Sequence, residues 1–147
     1  MLIEQRKIPE QVFSGVFPAD ELFGGLLTEP GNFLLALKRE ERFAHGETIF
    51  ARGELPRSIL VALEGEAEIF YGGAATVQPL KRNVIWGLTE SVANLPYEMS
   101  LKAATVCRFD AFERDAFLDF LQTEPAICFR LLQMLGANLQ RLYRHFQ

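Results

Sequence analysis

From Arg39 to Asp110 no apolar stretch lasts long enough to build a helix before glycine, proline or asparagine interrupts it, at Gly46, Gly53, Pro56, Gly65, Gly72-Gly73, Pro79, Asn83, Gly87, Asn94 and Pro96. Short apolar runs punctuated at roughly regular spacing are the pattern of a β-sandwich or barrel, in which each strand is followed by a turn needing special backbone angles. The spacing predicts strands at 41–43, 48–51, 58–63, 67–71, 74–79, 83–86 and 100–109. Gly72-Gly73 lies between two of them and supplies the positive φ angles of a tight hairpin.

The flanks read differently. Up to Leu37 the punctuation is helical, with Pro9 and Pro18 each suited to a first helical turn and Asp20 and Glu21 placed where the helix dipole favours acids. Gly24-Gly25 weakens that helix, and Pro30-Gly31-Asn32 is a turn. After Phe109 the apolar positions fall three and four apart at Phe112, Ala116, Phe117, Phe120 and Leu121, one face of a short helix. A second helix is expected from Thr123, as N-cap, through Pro125 to about His145, roughly 30 Å long at 1.5 Å per residue. The chain divides into a helical segment at 1–38, a β-roll at 39–110 and helices at 111–147. At 147 residues and 49% hydrophobic it can bury one core without disulfides or a structural metal.

Several function classes drop out on composition. A formal charge of −4 lacks the dense basic surface of a nucleic-acid binder. The start carries Glu4, Gln5, Arg6 and Lys7 with no apolar run behind them, and no stretch approaches a membrane span, so a soluble cytoplasmic protein is expected. Cys107 and Cys128 lack the spacing of a redox or zinc motif and are expected as buried free thiols. With two histidines, no nucleophile elbow and no phosphate loop, no catalytic constellation is present and no enzyme is expected. His45 reads as a turn residue, and His145 with Arg141 and Arg144 as cations complementing a helix C-terminus. Glu64, Glu66 and Glu68 read as the hydrated edge of one strand; no metal site is expected there.

The order of motifs from Phe43 to Phe146 resembles the cyclic-nucleotide-binding domain family, the effector domain of catabolite-activator-type bacterial regulators and of cyclic-nucleotide-gated kinases and channels. Gly46-Glu47-Thr48-Ile49-Phe50 with Gly53-Glu54 resembles the family's opening hairpin, and the run from Ile59 to Ile69 turned at Gly65 resembles its next strand pair. Trp86-Gly87 through Pro96-Tyr97 to Lys102-Ala103 matches the length and position of the phosphate-binding cassette. The resemblance implies a mainly β fold with flanking helices, a double-stranded β-helix of jelly-roll type, ending in a long helix. It implies a regulatory role, with cassette candidates Trp86, Gly87, Leu88, Thr89, Glu90, Tyr97 and Glu98.

Two family positions are replaced. The glutamate that accepts the ribose hydroxyl is here Leu88, and the arginine that pairs with the cyclic phosphate is here Tyr97. Leucine accepts no hydrogen bond and tyrosine carries no positive charge. Glu90 and Glu98 add negative charge where an anion would sit, and Lys102, the nearby cation, points away if it alternates outward with its strand. Binding of cAMP or cGMP in the family's manner is therefore disfavoured and no cofactor is expected, although a variant pocket that still takes a cyclic nucleotide stays as an alternative. Trp86 and Tyr97 suit an aromatic wall for a flat ligand, but read better as core.

On the long helix Cys128, Leu132, Leu135, Leu139, Leu142 and Phe146 recur at steps of four and three, a heptad-like seam. Ile127 and Leu131 broaden it so that one part docks on the barrel and another on a partner, and Gly136 allows close approach. In the family the corresponding helix pairs two subunits, which implies a homodimer; the other reading folds the helix back on its own barrel. The regulators continue into a helix-turn-helix, whereas this chain ends at Gln147, so direct DNA reading is not expected of it. Three readings stand: a sensing domain for a small-molecule effector, a ligand-free dimerisation or protein-interaction scaffold and, more weakly, a cupin-like enzyme.

Overall fold

The computed structural model describes residues 17–27 and 33–145, without the side chains of Gly25, Leu27, Leu142 and His145. Pro9, Pro30-Gly31-Asn32 and Phe146 lie outside the described residues. In chain order the elements are β1 (Phe17–Pro18), α1 (Ala19–Phe23), a 3-10 turn (Gly24–Leu27), α2 (Phe33–Leu37), β2 (Arg39–Phe43), β3 (Thr48–Phe50), β4 (Ser58–Glu64), β5 (Glu66–Tyr71), β6 (Ala74–Pro79), β7 (Val84–Trp86), α3 (Leu88–Ala93), β8 (Ser100–Ala103), β9 (Cys107–Glu113), α4 (Arg114–Gln122) and α5 (Pro125–His145).

The strands form two antiparallel sheets facing each other, β1-β7-β4-β9-β2 and β3-β8-β5-β6. Alternation of side chains explains why β4 is apolar almost throughout. Leu60 and Ala62 point inward with Trp86, Phe109 and Ala111 against Phe50, Ile69 and Leu101 of the smaller sheet. Ile59 and Val61 point outward with Ile85 and Phe112, where Leu22, Phe23, Leu34, Phe117, Ile127 and Leu131 of the helices cover them. The β-roll with flanking helices and a long terminal helix is the fold that the resemblance implies, and the Gly72-Gly73 hairpin expected from the sequence joins β5 to β6 with φ of +58° and +84°.

Several boundaries differ. The run read as one strand over 100–109 is two strands in different sheets. Ala104 and Thr105 N–H groups both donate to Glu66 O, and Thr105 Oγ1 accepts from Glu66 N–H, bending the chain across between them. Phe112 belongs to β9, which runs on to Glu113, beyond the expected boundary at 110; α4 begins only where the Glu113 carboxylate accepts the N–H groups of Asp115 and Ala116. Thr123 is no N-cap: its hydroxyl donates to Phe120 O at 2.8 Å and closes α4. Glu124 O instead accepts the N–H groups of Ile127 and Cys128. The helical first segment also contributes β1, paired with β7 through Phe17 and Ile85.

Glu64, Glu66 and Glu68 lie on two strands, β4 and β5, on either side of Gly65. Glu64 is ion-paired: Arg108 donates to it at 3.0 Å and to Glu40 at 2.8 Å, which holds the Glu40 carboxyl below its usual range. No group of three potential metal ligands occurs among the described residues, and no helix among them is long and apolar enough to cross a membrane. Cys107 is buried, but Cys128 is exposed. Docking α5 through Ile127 and Leu131 turns Cys128 about 100° away from the core, with its thiol donating to Leu121 O at 2.8 Å.

Candidate functional site

Two turns of the same sequence type frame the site. In Ala44-His45-Gly46-Glu47 and Ala51-Arg52-Gly53-Glu54 the fourth N–H donates to the first carbonyl, at 3.0 and 3.1 Å. The glycines take φ of +88° and +90°, the left-handed value a type II turn needs at that position. Each glutamate then returns its Oε1 to the first residue's N–H, at 2.7 and 2.9 Å. The second turn holds the cassette directly: Gly53 N–H donates to Tyr97 O at 2.8 Å and Tyr97 N–H to Glu54 O at 2.9 Å.

Held this way, Tyr97 lies inward, 4% exposed, with its ring stacked on Phe50 at 3.8 Å and 10° between planes. Its hydroxyl reaches Gly87, whose φ is +86°; a Cβ at position 87 would lie 2.6 Å from that oxygen. The phenol thus fills the space over the cassette glycine. Trp86, tilted against Phe50 at 6.2 Å, completes the aromatic row in the inner core. Burial, with the charges of Glu90 and Glu54 facing it, pushes the Tyr97 hydroxyl well above the usual phenol range.

The other candidates separate. Leu88 packs into the helix-side core with Ile59, Ile85 and Phe117, away from the inner barrel. Glu98 is exposed, as is Lys102 on the outward side of β8. Thr89 and Glu90 are half-buried on the first turn of α3. Trp86 Nε1, Thr89 Oγ1, Glu90 Oε1 and Ser91 Oγ are buried without a hydrogen-bond partner. Burial raises the Glu90 carboxyl above its ordinary value, countered only by its own backbone N–H.

One residue that sequence reasoning passed over ties the cassette down. The Arg114 guanidinium donates to Ser91 O at 3.1 Å and to Asn94 Oδ1 at 3.0 Å, and Asn94 caps α3 in a left-handed conformation with φ +57°. This cation at the C-terminus of α3 joins the cassette to α4. Its only sequence signal was an arginine opening a helix. A cleft of about 430 Å³ opens between edge strands β2 and β3, with Tyr97, Phe50, Phe43, Glu41, Glu54 and Ser58 among its walls.

On the long helix, Leu132 and Leu139 are 64% and 53% exposed, and Phe129 and Tyr143 extend the same outward stripe. Leu135 instead leans half-buried on the helix-side core beside Met134. The side chain of Leu142 lies outside the described residues.

The fold is similar to that of the catabolite activator protein of Thermus thermophilus, with a TM-score of 0.71 and 20% identity over 86% of this chain and 61% of that one. It is similar to the sensor domain of the transcriptional regulator DNR from Pseudomonas aeruginosa, at 0.64 and 21% over 84% and 90% of the two chains. The N-terminal domain of a transcriptional regulator from Streptomyces coelicolor gives 0.61 and 18% over 82% and 92%. The chain thus spans about three fifths of the catabolite activator protein and most of the two isolated domains. No curated protein matches it. The family model of the cyclic nucleotide-binding domain matches residues 40–124, more than half of the sequence, and this chain belongs to that family.

Proposed function

We propose that this chain is a regulatory sensing domain whose cassette no longer holds cAMP or cGMP in the family's manner, and that it pairs with a second copy through α5. The observation that carries the reading is Tyr97. A cyclic phosphate needs N–H groups and a cation around the cassette glycine, and there a buried phenol stacks on Phe50 with its hydroxyl over Gly87. Leu88, turned into the opposite core, offers the ribose no acceptor. The reading needs no metal, cofactor or catalytic residue, and suits a protein of the cytoplasm.

Calorimetric and thermal-shift titrations with cAMP and cGMP test it: neither is expected to raise the melting temperature, and a saturable rise with either sinks it. The pairing reading is supported by Leu132 and Leu139, large apolar side chains left facing outward on one stripe of the helix. Sedimentation is expected to show a dimer that Leu132→Asp dissociates. A wild-type monomer removes pairing and leaves the domain acting alone or through another protein.

A further inference from the structure

A second cleft, of about 440 Å³, opens between the β1–α1 segment and the long helix α5, a volume within the range of small-molecule sites. Two guanidiniums line it, Arg130 and Arg141, against one carboxylate, Glu21. A chain of net charge −4 thus turns a locally cationic face to this space.

Neither cation is neutralised there. Arg130 is half-buried, and its Nη1 donates to Leu22 O at 2.9 Å, which pins the side chain against α1. No carboxylate among the described residues forms an ion pair with it, and Arg141 makes neither a hydrogen bond nor an ion pair among them. A partly desolvated charge with most of its N–H groups unspent favours an anion beside it.

The helix period sets the shape of that anion. Arg130, Met134, Ala137 and Arg141 follow at steps of four, three and four, so they share one face of α5, whereas Leu132 and Leu139 lie on the opposite face. A second copy on the leucine stripe therefore leaves the cleft open. Arg130 and Arg141 are eleven residues apart, about 16 Å along the helix, so their forks meet opposite ends of a guest and not a single head. Between them the walls are apolar, Met134 and Ala137 on α5 with Pro18 across the cleft.

We propose that this cleft binds an elongated small dianion, an α,ω-dicarboxylate with an apolar middle. One carboxylate meets Arg130 and the other Arg141, and the hydrocarbon lies over Met134, Ala137 and Pro18. Planar guanidinium forks match carboxylates in geometry as well as charge. The site shares no residue with the cassette and does not rest on the reading of Tyr97.

Nonanedioate, nonanoate and 1,9-diaminononane test this by calorimetry, since they share a nine-carbon chain and differ in the number and sign of their charged ends. Nonanedioate should bind saturably, one per chain, and about tenfold more tightly than nonanoate, the gain of a second charge-assisted contact; the diamine should not bind. Arg141→Gln should weaken nonanedioate about tenfold, to the level of nonanoate, with the melting temperature of the unliganded protein unchanged. Arg52→Gln removes the same charge from the exposed turn at 51–54 and should leave binding intact. The proposal is overturned if nonanedioate does not saturate, if nonanoate or the diamine binds as tightly, if Arg141→Gln binds as wild type does, or if Arg52→Gln weakens binding as much.

Discussion

The paired turns at 44–47 and 51–54 and the cassette at 86–97 both hinge on glycines with positive φ, yet they close in opposite ways. In each turn the backbone and the glutamate side chain satisfy one another, and space beside the glycine is open. In the cassette the glycine is pressed by Tyr97, and four side-chain polar atoms are left without partners. Where a segment serves only the frame, its local hydrogen bonds can all be made. Where a buried side chain fills the space beside the glycine, as Tyr97 does at Gly87, polar atoms on the neighbouring turn are left without partners.

Glycine replacement should give the largest contrast. Gly87→Ala forces a Cβ to 2.6 Å from Tyr97 Oη and 3.3 Å from Ser58 O in a left-handed backbone, and should cost about 3 kcal/mol in chemical denaturation. Gly46→Ala meets no atom within 4 Å and should cost about 1–2 kcal/mol, for the backbone alone. Equal costs would break the contrast. As large is the effect of Tyr97→Ala, which empties the inner core beside Phe50 and should cost about 3 kcal/mol. Tyr97→Phe keeps the stack and should stay within about 1 kcal/mol; combined with Gly87→Ala it should recover part of that variant's loss, since it removes the nearest clashing atom.

Smaller effects sharpen the account of the turns. Glu47→Ala and Glu54→Ala each free a backbone N–H and should cost about 1 kcal/mol in urea melts; Glu54→Ala should also loosen Tyr97, seen as faster amide exchange at 97. The smallest effect depends on pH. Burial raises the Glu90 carboxyl above its ordinary 4.5, so the folded chain binds this proton more tightly than the unfolded chain does. The group's contribution to stability therefore falls as pH rises from about 4.5 through the raised value, then levels. Glu90→Gln should match wild type below that window and be modestly more stable at neutral pH; a gap that shrinks as pH rises would contradict the burial of this carboxyl.

Most of the frame was legible because it rests on short-range rules. Turn glycines marked the strand ends, the three- and four-residue spacing of Phe117, Phe120 and Leu121 marked the buried face of the short helix, and Pro125 marked the start of the long one. Boundaries were misread where the competing interaction comes from far along the sequence. The break at 104–106 depends on Glu66, and nothing local in 100–109 announces it. Thr123 looks like an N-cap by composition, but its hydroxyl finds the carbonyl of the preceding helix closer to hand.

For the site, the sequence by itself determined that Leu88 accepts no hydrogen bond and that Tyr97 carries no positive charge, since identity alone settles which side chains do. Only the tertiary structure decided that Tyr97 lies over Gly87, that Leu88 turns into the other core, that Cys128 faces outward while Leu135 leans inward, and that Arg114 closes the cassette from α4. Those outcomes depend on which face of a helix or strand meets which neighbour. That choice is made by the whole core at once, because the inner and outer faces of the larger sheet must be covered together.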